Sequence, residues 1–330
     1  MTGLTRRRLL QTGTATVAFT AATPFIARAA AYPERNIDVI IPTREGGGAD
    51  RNFRAFTSIW EKYLGTKFEP GFYPGASGRV GYEVFMGKAE ANCYNLIFGN
   101  MGPEVLNWAV KAPDFPLDDY FYFGRVDVDP SCVFVGRESA FQTIDDIVAE
   151  GKKRKLNVGT SRMAHPASIG IMALGEQTGA EFNLIPLSGG KNTIAGAVTG
   201  EVDFSVLTSG SVIAKRDAVR TVLVFGDNLV GERLDNAPTI NDHFGMSLPP
   251  MLSSRAFAIH KKAADDYPDR YEKLVTTFAE AFKDPELLDA YEKSGGTREY
   301  LSYGNAEDCG TYVKAILEIG AKYKSLLSGA

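Results

Sequence analysis

From Ile37 onward, short runs of β-branched and aromatic residues alternate with stretches whose apolar residues recur every three or four positions. Strands that alternate with helices build sheets covered by helices, because each helix returns the chain to lay the next strand beside the last. The pattern predicts an α/β fold with mostly parallel strands. Strand-like runs fall at 37–41, 67–70, 94–99, 121–126, 132–136, 156–160, 182–186, 203–207, 221–225 and 255–260. Helix-like stretches fall at 50–63, 143–153, 166–178, 192–199, 265–282 and 305–326. The runs 132–136 and 256–260 match in length and apolarity and bracket a self-contained block. They predict two strands crossing between two lobes, with a cleft lined by loops at the carboxyl ends of the strands. One continuous sheet is the alternative.

Between the first strand and the helix-like stretch at 50–63 lie Arg44, Glu45, Gly46, Gly47, Gly48 and Ala49. Glycines let bare backbone N–H groups approach a ligand, and the positive end of the following helix dipole points at the same spot. The junction suits a carboxylate or a phosphate, or it is only a tight turn. It lacks the Lys-Ser/Thr of a nucleotide-cradling loop and the spaced glycines of a dinucleotide turn.

Arg6, Arg7 and Arg8 precede a mildly apolar stretch, 12–26, that ends in Ala27-Arg28-Ala29. This order is that of a cleaved twin-arginine export signal over residues 1–30, with cleavage near Ala29 to Ala31. The stretch is too short and too polar to span a bilayer. Removing it takes away four arginines and no acids, so basic residues fall from 36 to 32 against 40 acids. A mature chain near −8 argues against nucleic-acid or anionic-membrane binding and leaves an acidic ligand to local dipoles and a few arginines.

Three cysteines, Cys93, Cys132 and Cys309, are an odd count for an oxidising compartment, so at most one bridge forms, and small buried packing is the simplest role for each. His165, His243 and His260 form no ligand cluster, so no metal site is expected. No cofactor is expected either. An exported oxidoreductase would use Glu69 as the ribose-binding acid, but the third spaced glycine is missing. For a hydrolase there is no nucleophile elbow, Ser-x-x-Lys pair or metalloprotease helix. Asp145-Asp146 and Asp265-Asp266 read as helix starts, where acids complement the dipole.

Several segments in order resemble the periplasmic solute receptors of tripartite tricarboxylate transporters, the TctC or Bug family. They are Tyr32-Pro33, Val39-Ile40-Ile41-Pro42, the Gly46 to Asp50 loop, Tyr73-Pro74-Gly75-Ala76-Ser77-Gly78, Tyr94 to Gly99, Leu156 to Ser161, Pro186 to Gly190, Gly200 to Asp203 and Ala237-Pro238-Thr239. The resemblance spans essentially the whole mature chain. It implies a type II-like two-lobed binding protein, each lobe a mixed sheet flanked by helices. Lobe 1 would comprise residues 31–131 plus 256–330, and lobe 2 residues 132–255. The implied function is not enzymatic: a periplasmic monomer, without stable membrane insertion, closes on a small organic carboxylate and presents it to membrane transporter subunits.

Carried over by position, the resemblance places ligand contacts at Gly46, Gly47, Gly48 and Ala49; Thr43-Arg44-Glu45 departs from the family pattern, and Arg44 either grips a carboxylate, pairs with Glu45 or faces solvent. Asp50 is expected to cap the helix. In the second lobe Thr160, Ser161 and Arg162 match a hydroxyl-bearing loop, and free N–H groups of the helix opening at Pro166 would make a second cradle. His165 and Ser168 stand exchanged relative to the family order, so the imidazole either touches ligand or caps that helix. Gly189 and Gly190 would close the cleft floor, Asp203 would bind a ligand hydroxyl or order a loop, and Asn100 would donate an amide or serve a turn.

Overall fold

The computed structural model describes residues 32–328, so the export signal read at 1–30 lies outside the described residues. The chain first runs β1 (Ile37–Ile41), α1 (Gly48–Leu64), β2 (Phe68–Phe72), α2 (Arg79–Lys88), β3 (Asn95–Asn100), α3 (Met101–Val110) and β4 (Tyr120–Asp127). It continues through β5 (Asp129–Gly136), α4 (Ile144–Gly151), β6 (Leu156–Thr160), α5 (Pro166–Thr178), β7 (Phe182–Pro186) and α6 (Gly190–Thr199). Next come β8 (Phe204–Thr208), α7 (Ser209–Ile213), β9 (Val219–Val224), α8 (Ile240–Phe244) and β10 (Leu252–Ser253). The return is β11 (Arg255–His260), α9 (Lys261–Asp266), α10 (Pro268–Ala281), α11 (Glu286–Lys293), β12 (Leu301–Gly304), α12 (Ala306–Lys322) and α13 (Lys324–Ser328).

Two sheets result. The first has the order β12-β4-β11-β3-β1-β2; the second has β5-β8-β6-β7 in a row, with β9 and β10 also paired to β5. The mostly parallel expectation is overturned. Pairs β1–β2, β1–β3, β6–β7 and β6–β8 are parallel, but β5, β10, β11 and β12 all pair antiparallel. The reason lies in the crossings: only Val128 separates β4 from β5, and only Ser254 separates β10 from β11. A strand entering from the other sheet keeps its direction instead of being turned back by a helix.

The core follows the periodicities. Helix α1 buries Phe53, Phe56, Trp60 and Leu64, spaced three and four apart, and ends at Gly65 in the left-handed region, φ 83°, which a Cβ would strain. Trp60 stacks on Phe68 at 4.5 Å and meets Phe257 at 5.0 Å, while Phe56 meets Phe278 at 4.8 Å. A second buried cluster runs without a break from Leu106 and Ile316 beside the first sheet to Ile171 and Phe225 beside the second.

The predicted helix 265–282 is broken at Pro268, which lacks an N–H and opens α10 instead. Asp265 and Asp266 therefore end α9, paired with Lys261 and Lys262 four residues earlier, and do not open a helix. Asp146 does lie in a helix start, where it and Thr143 form a capping box. All three cysteines are buried, and Cys93 Sγ donates to Ala263 O at 3.4 Å. Among the described residues no helix is long and apolar enough to cross a membrane, and no cluster of candidate metal ligands occurs.

Candidate functional site

Loops at the carboxyl ends of four strands meet at a cavity of about 620 Å³. Thr43 and Arg44 follow β1, Asn100 ends β3, Arg162 follows β6, and Gly210 and Ser211 follow β8. Asp129 and Arg255, one from each crossing, also line it. A smaller cavity of about 400 Å³ shares Arg162, Gly190 and Ser211 with the first and adds Ser161, His165 and Gly189.

The glycine loop lies on the main cavity through Gly47, Gly48 and Ala49. The cap of α1 is Gly47, which has no side chain to accept a bond, so N–H groups of the first turn stay open to the cavity. Asp50 does not cap the helix as expected. Its Oδ2 accepts from Gly46 N–H at 2.8 Å and its Oδ1 from Arg54 Nε at 2.6 Å, so it braces the loop. Glu45 lies 3.4 Å from Arg54, which leaves Arg44 exposed at the cavity edge. A Cβ added at Gly48 would stand 3.6 Å from Arg255 Nη2, so the loop and that guanidinium share one wall.

Arg255 was not anticipated, although a charged residue opening an apolar crossing strand is the signal for it. Its guanidinium pairs with Asp127, whose carboxylate is wholly buried and also accepts from Asn52 Nδ2 at 2.7 Å, Tyr291 hydroxyl at 3.0 Å and Arg255 N–H at 2.8 Å. Burial opposes the charge on Arg255, but Asp127, Tyr291 and Asp129 outweigh it and hold the guanidinium protonated. Arg162 faces both cavities; burial lowers its pKa, and Glu104 works against that loss.

The second cradle is corrected. Pro166 has no N–H, Ala167 N–H donates to His165 Nδ1 at 3.1 Å, and Ser168 N–H donates to His165 O at 2.9 Å, so the start of α5 is spent internally. His165 caps that helix. Burial, with Arg162 nearby, pushes its imidazole down to about 3, so the ring is neutral, and with Nδ1 accepting, the proton sits on Nε2. Among helices of the second sheet, α6 brings an uncapped start to the cleft: its cap Gly189 has φ 111°, and its Gly190 and Lys191 line the main cavity.

Four expected residues are not on either cavity wall. Thr160 and Ser168 are fully buried, their hydroxyls 2.9 Å apart and 3.1 and 3.3 Å from Arg162 O, so one hydroxyl donates to the other and the second to the carbonyl, and the pair supports the loop that carries Arg162. Gly46, φ 74°, turns the loop behind its neighbours. Asp203 lies before β8, at the strand end away from the cleft, where it accepts from Arg154 and from Asn157 N–H, both at 2.7 Å. Glu69 is likewise remote, opposite Asp38 in β1 and bonded to Asn36.

Two buried acids complete the wall. Glu104 Oε2 accepts from Asn100 N–H at 2.6 Å and Tyr82 hydroxyl at 2.7 Å, and burial pushes its carboxyl up to about 7. Asp129 Oδ1 accepts from Gly210 N–H at 2.9 Å and Ser209 hydroxyl at 3.2 Å, and burial pushes it up to about 6. The remaining charged residues facing the cavity, Arg44, Arg51, Lys191 and Lys215, are cationic. The arrangement can hold an anion between donors of two sheets.

No protein-family model matches the chain. It is 22% identical over 305 residues to Protein BugT of Bordetella pertussis, covering 89% of this chain and 92% of that one. A TctC solute binding protein from Polaromonas superposes with a TM-score of 0.72 at 21% identity, covering 91% of this chain and all of the other. An R. palustris protein solved with adipate gives 0.72 at 18% identity, over 90% and 98%. The resemblance to the TctC/Bug solute receptors, first read in short segments, thus extends along nearly the whole chain and includes the fold.

Proposed function

We propose that this chain is a periplasmic receptor that captures a small organic carboxylate, a di- or tricarboxylate or an aromatic acid, for a tripartite tricarboxylate-type transporter. The supporting observation is a single cavity that joins the uncapped start of α1 and Arg255 on one side to Arg162 and the uncapped start of α6 on the other. An anion there gains dipole and charge interactions from both sheets at once. In this reading the lobes divide at Val128 and Ser254, close to the boundaries expected at 131/132 and 255/256, and the acid shifts the balance toward a closed form that the membrane subunits recognise. The protein would be exported through the residues 1–30 signal and act as a monomer without catalysis. Adipate, which one protein of this fold carries, is a reasonable first probe.

The test is calorimetric titration of a panel of small organic acids, with Arg162→Met as the site variant. Binding of at least one acid at micromolar Kd, weakened tenfold or more by the variant, is the expected result. A panel with no binder would sink the reading.

A further inference from the structure

Within a cleft furnished mostly with donors, Asp129 and Glu104 are the two acids of the wall. Asp129 is only 6% exposed yet lines the cavity. Oδ1 is engaged by Gly210 N–H and Ser209 hydroxyl, whereas among the described residues Oδ2 accepts no hydrogen bond from the protein. Arg255 bonds to Asp127 and acts on Asp129 through charge, without a hydrogen bond to Oδ2 among the described residues. The other buried acid of the wall differs: Glu104 Oε2 already takes two donors from the protein.

Residue 210 keeps the open oxygen reachable. A Cβ added at Gly210 would lie 2.9 Å from Asp129 Oδ2, so any side chain there would crowd that atom, and glycine leaves it facing the cavity. A buried carboxylate oxygen without a donor is costly, and a ligand that brings only carboxylates and methylenes to it adds repulsion or an unmet desolvation. A ligand that brings an O–H or N–H relieves both.

We propose that Asp129 is a specificity-determining residue that selects acids carrying a hydrogen-bond donor, a hydroxyl or an ammonium, on the carbon chain between their carboxylates. The inference rests on the receptor reading above and narrows its ligand class. Discrimination of this type is strong because the penalty falls on the ligand that lacks the donor, leaving a buried polar group unpaired.

The test uses matched probes: succinate, malate and aspartate, and separately tricarballylate and citrate, titrated at pH 7.5 into the purified mature protein and into Asp129→Asn. In the wild type at least one donor-bearing member should bind tenfold or more tighter than its unsubstituted counterpart. Malate against aspartate tells whether the donor is hydroxyl or ammonium. Asp129→Asn should reduce that preference at least fivefold while leaving the unsubstituted acid bound as well or better. Should the variant fail to fold, Gly210→Ala substitutes, since its Cβ would stand 2.9 Å from Asp129 Oδ2 and must shrink the same ratio. Equal binding within each matched set, or a preference unchanged by these substitutions, overturns the assignment and leaves the receptor reading intact. Absence of binding by every probe and every acid of the wider panel removes both.

Discussion

The hydroxyl of Tyr82 donates to Glu104 Oε2 at 2.7 Å beneath the cleft floor, and Tyr122 in turn meets Tyr82. The chain of hydroxyls lies beside Tyr120, which accepts from Trp108 Nε1 at 3.0 Å. A titrating carboxyl at the cleft is thereby tied into the core of the first sheet.

Glu104 should make stability depend on pH. Burial favours its neutral form and raises the folded pKa from the ordinary 4.5 to about 7. Between those values the folded state holds more protons than the unfolded one, so the contribution is full below pH 4.5 and lost as pH rises through 7. Its ceiling is about 3 kcal/mol, at roughly 1.4 kcal/mol per pK unit. His165 acts in the opposite sense, neutral in the fold and costing stability as pH falls from 6.5 toward 3. Urea unfolding of wild type and Glu104→Gln from pH 5 to 8 should show the two stabilities converge or cross as pH rises; parallel curves would refute the assignment.

Asp127→Ala should be among the most destabilising single changes, by about 3–5 kcal/mol, because it strands a buried guanidinium and removes the acceptor of Asn52 and Tyr291. Adding Arg255→Met should cost less than the sum of the two single variants. Additive losses in denaturant unfolding would mean that the pair is not coupled.

Gly102→Ala should cost about 2–3 kcal/mol. Its Cβ would come within 2.1 Å of Leu252 O and 2.9 Å of both Pro166 Cγ and Tyr312 hydroxyl, where α3 meets β10 and α5. Gly87→Ala, in α2 with nothing within 4 Å, should instead gain about 0.5–1 kcal/mol. Thermal melts of the two variants should move in opposite directions.

Thr160→Ala should weaken acid binding several-fold without reaching the ligand, because the bonded Thr160–Ser168 hydroxyl pair holds the Arg162 carbonyl. Stability should fall by about 1 kcal/mol. Calorimetric affinity equal to wild type would leave Thr160 with a structural role alone.

Local chemistry in the sequence determined much of this protein. Apolar runs located every strand but the short β10 and β12, the three-to-four spacing located most long helices but not α2 or α3, Gly47 to Ala49 marked one wall of the cleft, and the paired apolar runs fell within a few residues of the changes of sheet. These signals are legible because they depend on neighbours a few positions apart. Tertiary structure alone decided which donors remained free. Whether an N–H at a helix start faces a cavity depends on what its own cap does, and His165 consumes the start of α5 whereas Gly189 leaves that of α6 open. It also brought Asp127, Asp129, Glu104 and Arg255 together from crossings and helices distant in the chain, since the burial that shifts a carboxyl's charge is a property of the packed whole and of no short segment.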